Sequence, residues 1–155
     1  MVTSKKKARR CSTSPLSRSE VMSRVRAKDT GPEMTVRRAF WSSGLRYRLH
    51  ADDLPGKPDL VFRSRRVAVF VHGCFWHGHE GCPNHRIPKT RSEWWAAKIA
   101  RNRERDAEVK RRLEDLGWKV VVIWECETKV AQLVERMVED VTQSELAYKS
   151  LKSLS

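Results

Sequence analysis

A short run of apolar residues, Val67 to Val71, constrains the fold of this chain more than any other feature. Its side chains are apolar at consecutive positions, so both faces of the strand that it predicts must be buried. A second buried strand is predicted from Trp118 to Trp124. Strands of this kind lie in the middle of a sheet that is covered by helices. The sequence therefore predicts an α/β domain built around a central sheet.

The segments around these two runs predict the remaining elements. Thr30 and Glu33 have the spacing of a capping box, which leaves Glu33 either as a capping residue alone or as one with a further role. Hydrophobic periodicity and turn residues predict helices at about 20–27, 29–43, 92–117 and 129–148, and further strands at 45–50 and 59–62. The order ααβββ-loop-αβα indicates a mixed sheet flanked by helices.

The charge of the chain indicates a polyanionic partner. Its 32 Lys and Arg outnumber 19 Asp and Glu, for a formal net charge of +13 and a pI near 10.1. Residues 1–18 hold six basic side chains and no acid, and we interpret them as a disordered arm that tethers DNA without sequence preference. Residues 19–148 form one domain and 149–155 a frayed tail. The basic residues of the long helix at 92–117 are interpreted mostly as a solvated face.

Several classes of protein are excluded by the pattern. No apolar run approaches the roughly 20 residues that span a membrane, and no apolar stretch follows the basic N-terminus as in a secretory signal. Four cysteines in 155 residues are too few for a disulfide framework, so thiol or metal roles in a reducing compartment are expected. We expect a cytoplasmic protein that associates with the nucleoid through DNA.

The first candidate site is a predicted hairpin. A turn centred on Arg65 would place Asp59 opposite Val71 and beside His72. A carboxylate together with carbonyl oxygens is the environment that Mg²⁺ prefers. The alternative is that Asp59 is a turn residue and His72 a histidine at the end of a strand.

The second candidate site lies in the loop that follows. Three His and two Cys fall within the eleven residues from His72 to Cys82, and His79 and Cys82 have a compact chelating spacing. A closed zinc site needs two more ligands, for which Cys126 and Asp106 are candidates. Asp106 interrupts the apolar stripe of the long helix, although an ion pair with an arginine would also explain it. Cys126 is otherwise a small buried hydrophobic residue.

Aromatic residues form a third unusual group. Phe75 and Trp76 lie in the loop, and only one of Trp94 and Trp95 can lie on the core stripe of the helix that they begin. In a basic protein such residues stack on DNA bases or wedge between them, with packing beneath the loop as the alternative. Burial in the core better explains Trp41, Trp118 and Trp124.

Five segments carry distinctive motifs, in order and with close spacing: 55–59 (PGKPD), 70–77 (FVHGCFWH), 91–106, 116–118 (LGW) and 123–126 (IWEC). Over about residues 20–128 the chain resembles the very short patch repair (Vsr) endonucleases, a divergent branch of the PD-(D/E)xK nucleases. The resemblance implies a restriction-endonuclease-like fold with a zinc-bound loop. It also implies nicking on the 5′ side of the thymine in T:G mismatches, which arise from deaminated 5-methylcytosine.

The same resemblance implies roles for individual residues. Asp59 and the carbonyl of Val71 would bind a catalytic Mg²⁺. The residues at the scissile phosphate would be His72 and His77, supported by Glu33. The ligands of a structural Zn²⁺ would be His79, Cys82, Asp106 and Cys126. The residues inserted into DNA would be Phe75, Trp76 and Trp95, with Met22 entering from the other groove.

The resulting hypothesis is a monomeric, Mg²⁺-dependent mismatch endonuclease that acts on double-stranded DNA containing a T:G mismatch, with mismatch-repair proteins as further partners. One alternative is a restriction-type enzyme that cuts both strands of a matched site. Another is a zinc-containing DNA-binding module without catalytic activity.

Overall fold

A computed structural model describes residues 28–152 of the chain. The predicted arm at 1–18, the helix predicted at 20–27 and Met22 lie outside these residues. The described elements are α1 (Gly31–Ser42), β1 (Arg48–Leu49), β2 (Leu60–Phe62), β3 (Val67–His72), α2 (Ser92–Asp115), β4 (Lys119–Trp124) and α3 (Ala131–Lys152).

The four strands form one mixed sheet in the order β1-β2-β3-β4. Strands β1, β2 and β3 pair antiparallel, and β4 pairs parallel with β3. The predicted α/β class is therefore confirmed. None of the helices in the described part of the chain combines the length and apolarity that crossing a membrane requires.

Helix α1 begins at the predicted cap. The N–H of Glu33 donates to Thr30 Oγ1 at 3.4 Å, and the Glu33 carboxylate accepts from the N–H of Asp29 at 3.0 Å. The carboxylate thus bonds one residue upstream of its usual partner in a capping box. Gly44 follows the helix with φ +78°, as expected of a residue that ends one.

The hairpin of β2 and β3 differs from the prediction by one residue. Leu60 pairs with Val69, so Asp59 does not lie directly opposite Val71. The N–H of Val71 nevertheless donates to Asp59 Oδ2 at 2.7 Å. The prediction of the register was wrong, yet the two residues are in contact.

Strand β1 is shorter than the predicted strand at 45–50. The N–H of Leu45 donates to the carbonyl of Phe40, and the Tyr47 hydroxyl donates to the carbonyl of Arg37. The first half of the segment is therefore bound to α1, which leaves only Arg48–Leu49 to pair with β2.

Buried side chains cover both faces of the sheet, as the apolar strands predict. Val67 and Val69 belong to a cluster on the side of α1 and α3, and Ala68 belongs to a cluster with Leu113 and Trp118 on the side of α2. The prediction that Trp41 is a core residue was wrong. Its side chain is 56% exposed and is covered by the guanidinium of Arg46, 3.8 Å from the ring centroid.

Candidate active site and metal centre

A cleft of about 850 Å³ lies between the end of β3, the turn before β2 and helix α2. We call it the histidine cleft. The residues of the first candidate site line it together with residues of α2: Asp59, Val71, His72, His77, Arg105 and Asp106. The side chains that the sequence associates with Mg²⁺ and with the scissile phosphate thus share one surface.

Asp59 is held at the entrance of β2. Its side chain accepts the hydrogen bond from Val71, and its carbonyl accepts from the N–H of His50 at 3.3 Å. Burial raises the pKa of Asp59, the Val71 hydrogen bond opposes that rise, and the nearby negative charge of Glu33 adds to it. The carboxylate therefore lies in a position where a bound cation would stabilise its ionised form.

His72 and His77 stack in the cleft. Their ring centroids are 3.8 Å apart and their planes differ by 10°. Burial, together with the neighbouring His77, lowers the pKa of His72 to about 4, so His72 is neutral at pH 7. A positive charge on His77 at that separation would repel one on His72, which adds to the effect of burial on the pKa of His72.

Asp106 completes this group from α2. Its Oδ2 is hydrogen-bonded to His77 Nδ1, and its Oδ1 lies 3.8 Å from a guanidinium nitrogen of Arg105. Burial opposes ionisation of Asp106, but the hydrogen bond and charge of His77 outweigh it, so the pKa of Asp106 is lowered. Asn102, the other polar residue on the apolar stripe of α2, donates to the carbonyl of Trp76 at 2.8 Å. The two polar residues that interrupt the apolar stripe of α2 thus both contact the loop that follows β3.

Glu33 does more than cap α1. Its side chain is buried and lines the histidine cleft, and its Oε2 accepts from Arg37 Nη2 at 3.0 Å. The same guanidinium contacts Asp29 and lies 3.2 Å from His50 Nε2. Asp29, Glu33 and His50 could converge on a metal ion, but Arg37 already supplies a positive charge among them.

A second group of side chains lies on the other side of the loop, and we call it the thiol cluster. It contains Cys74, His79, Cys82 and Cys126, whose ligand atoms all lie within 4.8 Å of one another. His79 Nδ1 is 3.6 Å from Cys74 Sγ and 3.4 Å from Cys126 Sγ. Three thiols and one imidazole are a donor set typical of tetrahedral zinc.

The structure corrects the predicted grouping of zinc ligands at one position. His79, Cys82 and Cys126 lie together as predicted, but Asp106 does not join them. Asp106 is instead bonded to His77, and Cys74 takes the fourth place. The signal that could have found Cys74 is its thiol, a softer ligand than a carboxylate and a better match for the other three.

Backbone turns and one glycine separate the two groups. The N–H of His77 donates to the carbonyl of Gly73 at 3.2 Å, and that of His79 to the carbonyl of Cys74 at 3.0 Å. Gly78 lies between the two histidines at φ +65°, and a Cβ built there would be 2.8 Å from Cγ2 of Ile99. The loop thus packs closely on α2 at Gly78, between His77, which lines the histidine cleft, and His79, which belongs to the thiol cluster.

The thiols of the cluster influence one another's pKa values. Burial, followed by the hydrogen bonds with Cys74 and Cys82, raises the pKa of Cys126 to about 12. Burial also raises the pKa of Cys74, whereas hydrogen bonding to the backbone at Asn84 lowers the pKa of Cys82. Several thiolates at this separation would need a cation among them.

The predicted DNA-inserting aromatics form one cluster. Ring centroids of Phe75, Trp76 and Trp95 are 5.1–5.9 Å apart. Trp95 is buried against the loop, whereas its neighbour Trp94 is 48% exposed. The ammonium of Lys98 lies 5.0–5.8 Å from the ring centroids of Trp76, Trp94 and Trp95. The fourth predicted residue, Met22, lies outside the described residues.

Comparisons with known proteins give the chain its family. The family model described as DNA mismatch endonuclease Vsr matches residues 12–83. The Type II nicking enzyme V.XorIIP of Xanthomonas oryzae pv. oryzae is 47% identical over 128 residues, which cover 83% of this chain and 93% of the relative. DNA mismatch endonuclease Vsr of Escherichia coli is 41% identical over 109 residues, 70% of this chain and 69% of the relative. The Type II nicking enzyme V.NaeI of Lentzea aerocolonigenes is 43% identical over 116 residues, 71% of this chain and 68% of the relative. The chain belongs to the Vsr family of DNA endonucleases.

Proposed function

We propose that this protein is a Mg²⁺-dependent, strand-specific endonuclease that nicks DNA on the 5′ side of the thymine in a T:G mismatch. The observation that carries the proposal is the convergence of Asp59, His72 and the His77–Asp106 pair on one cleft. The name of the Escherichia coli relative, DNA mismatch endonuclease, supports the choice of substrate. One chain supplies all of these groups, which supports action as a monomer; mismatch-repair proteins are the expected partners.

The residues around Asp59 fit a magnesium ion. Asp59 is a largely buried carboxylate that faces the negative charge of Glu33, and oxygen ligands of this kind bind hard cations. Asp59 and the carbonyl of Val71 would hold the ion. When bound, Mg²⁺ supplies Lewis acidity that stabilises negative charge on phosphate oxygens.

His77 is the proposed general base. Because Asp106 accepts the hydrogen of Nδ1, the lone pair of Nε2 is free to take a proton from the attacking water. The carboxylate then stabilises the imidazolium that forms. Neutral His72 stacks on the ring of His77 and keeps it in place. Glu33, held by Arg37, supports the Asp59 side of the cleft.

The thiol cluster is the proposed structural zinc site. Cys74, His79, Cys82 and Cys126 would hold the ion, and their close approach and soft donor atoms fit Zn²⁺. Four protein ligands leave no open position, which is typical of a structural site. Bound there, the ion would fix the loop to the end of β4.

Phe75, Trp76 and Trp95 are the proposed wedge, with Met22 from the opposite groove. Unstacking a weakly paired step costs less than unstacking a matched one, so insertion of aromatic rings favours a mismatch. The exposure of Trp94 and the ammonium of Lys98 beside the rings place further stacking and positive charge at the same surface.

A cleavage assay tests the proposal. Labelled T:G duplexes with varied flanking bases are incubated with the protein and Mg²⁺, beside the matched T:A and C:G duplexes and an EDTA control. The expected product is a single nick 5′ of the mismatched thymine. Equal cutting of matched DNA, with linear product from a plasmid, would favour a restriction-type enzyme. Binding without cutting would favour an inactive DNA-binding module.

A further inference from the structure

The charge of the histidine cleft does not suit a phosphate backbone by itself. Its lining contains four carboxylates, those of Glu33, Asp59, Asp106 and Glu125. The basic side chains that line it are Lys57 and Arg105. A nucleic-acid phosphate entering this cleft meets more negative than positive charge. A Mg²⁺ ion held by Asp59 would offset part of this repulsion, and a fixed positive charge in the cleft would offset more.

Of these two basic residues, Arg105 is the better placed to contact a phosphate in the cleft. The ammonium of Lys57 is 2.8 Å from Asp52, and both side chains are largely exposed. Arg105 has one ionic contact among the described residues, at 3.8 Å to Asp106, whose other oxygen bonds to His77. Its guanidinium is thus beside Asp106, the partner of the proposed base, and is not held by a carboxylate at hydrogen-bonding distance.

Other basic residues of α2 are held elsewhere. Arg103 is bound to Glu80 at 2.6 Å, and Arg111 is bound to Glu108 and Asp115. Arg111 does not line the histidine cleft, and Arg103 lines only an adjoining cavity that shares His72, His77 and Asp106 with it. Arg105 is as exposed as Arg103 and Arg111, but it differs from both in lining the histidine cleft without a carboxylate at hydrogen-bonding distance.

We propose that Arg105 binds the scissile phosphate, donating from its guanidinium to a nonbridging oxygen; this rests on the proposed nuclease function. The planar guanidinium is always charged and matches phosphate oxygens with two parallel hydrogen bonds. During hydrolysis the bond from water oxygen to phosphorus forms and the bond from phosphorus to the leaving sugar oxygen breaks. The water proton goes to His77, and the leaving oxygen takes a proton from solvent. Arg105 keeps its protons and stabilises the charge on the nonbridging oxygens.

Cleavage under single-turnover conditions gives the first test, using Arg105→Ala, Arg105→Lys and the control Arg112→Ala. Arg112 is exposed on nearly the same face of α2, seven residues further on, and does not line the cleft. We expect Arg105→Ala to lose about 10²-fold in rate, as on removal of one charge-stabilising donor, and Arg105→Lys to lose less. Equal rates for Arg105→Ala and Arg112→Ala would overturn the proposal.

Binding gives the second test, independent of cutting. Duplexes carry either the normal phosphate or a neutral methylphosphonate 5′ of the mismatched thymine, with Ca²⁺ replacing Mg²⁺. Arg105→Ala should weaken binding of the charged duplex and leave binding of the neutral one nearly unchanged. Equal losses on both duplexes would show that Arg105 does not contact this phosphate. If the wild type cut no duplex, the nuclease proposal would fail, while this comparison would still report on Arg105.

Discussion

The histidine cleft and the thiol cluster share one short stretch of chain, which contributes alternating residues to each. His72 and His77 face the cleft, whereas Cys74 and His79 face the cluster. The cleft gathers carboxylates and imidazoles around a volume of about 850 Å³. The cluster gathers thiols and one imidazole so closely that they can saturate a single ion.

A shared tryptophan separates the two groups. The ring of Trp124 stacks on His79 with centroids 4.2 Å apart and meets the edge of His72 at 5.5 Å. The comparison shows that the donor atoms differ in kind on its two sides. The carboxylates line the open histidine cleft, whereas the thiols of the thiol cluster converge on one point. The two sites should therefore bind different metals and respond to different substitutions.

The largest expected effect is on the open site. Asp59→Asn keeps the shape of the side chain but removes the charge that would hold Mg²⁺. We expect nicking of a T:G duplex to fall by about 10³-fold or more, with DNA binding and zinc content retained. Single-turnover cleavage and bound-metal analysis measure the two responses.

Asp53→Asn is the matched control for this substitution. Asp53 lies in the turn before β2, is exposed and pairs with Arg63 at 2.6 Å. Its loss should leave nicking nearly unchanged. Normal cutting by Asp59→Asn would show that the proposed magnesium ligand is wrong.

The next largest effect distinguishes the two groups directly. Cys74→Ser should lower bound zinc and reduce stability on the order of 3 kcal/mol, or roughly 10 °C in Tm. Asp106→Asn should keep the zinc and the Tm but slow nicking by about 10²-fold, because the partner of His77 loses its charge. Metal analysis, thermal unfolding and cleavage are measured on both variants.

Cys11 provides the control, since it lies outside the described residues and neither ligand set includes it. Cys11→Ser should retain zinc at the wild-type level. If Asp106→Asn lost zinc while Cys74→Ser kept it, the ligand set predicted from the sequence would be right and the one proposed from the structure wrong.

Much of the fold follows from local pattern. The doubly apolar Val67–Val71 segment indicated a central strand, and Thr30 indicated the start of α1. The hairpin register was wrong by one residue because it depends on the turn at 63–66, where Arg66 takes φ +54°. The prediction that Trp41 is buried in the core was wrong because Arg46 covers its ring on the surface. Hydrophobicity alone does not encode that contact.

The candidate site was less predictable because its ligands are sorted in three dimensions. The sequence placed Asp106 on the apolar stripe of α2, and so near the loop, but spacing does not say which histidine it meets. The loop reverses at Gly78, so His77 and His79, two residues apart, face different partners. Cys74 was missed because its spacing to Cys82 forms no CxxC pair.

A smaller effect is expected where the two groups adjoin. Gly78→Ala adds a Cβ 2.8 Å from Ile99 Cγ2 and 3.1 Å from Arg103 Cδ, at φ +65°. Gly81→Ala, at φ +71° in the same loop, meets nothing within 4 Å. Both should lose about 1 kcal/mol from the left-handed backbone, and Gly78→Ala about 2 kcal/mol more from crowding. Urea unfolding of the zinc-loaded proteins measures the difference, and equal losses would show that the loop can move away from α2.

The smallest effect on cleavage is expected from a change outside both the histidine cleft and the thiol cluster. It shows whether DNA affinity can change without a change in the cleavage rate. Deleting residues 1–18 removes six basic side chains and no acid, so affinity for DNA should fall and depend less steeply on salt. Each lost phosphate contact lowers the log–log salt slope by about 0.9. The single-turnover rate at saturating protein should not change, because Asp59, His77 and Asp106 are all retained. An unchanged salt slope would exclude the arm as a DNA tether, and a slower rate at saturation would mean that it reaches the histidine cleft.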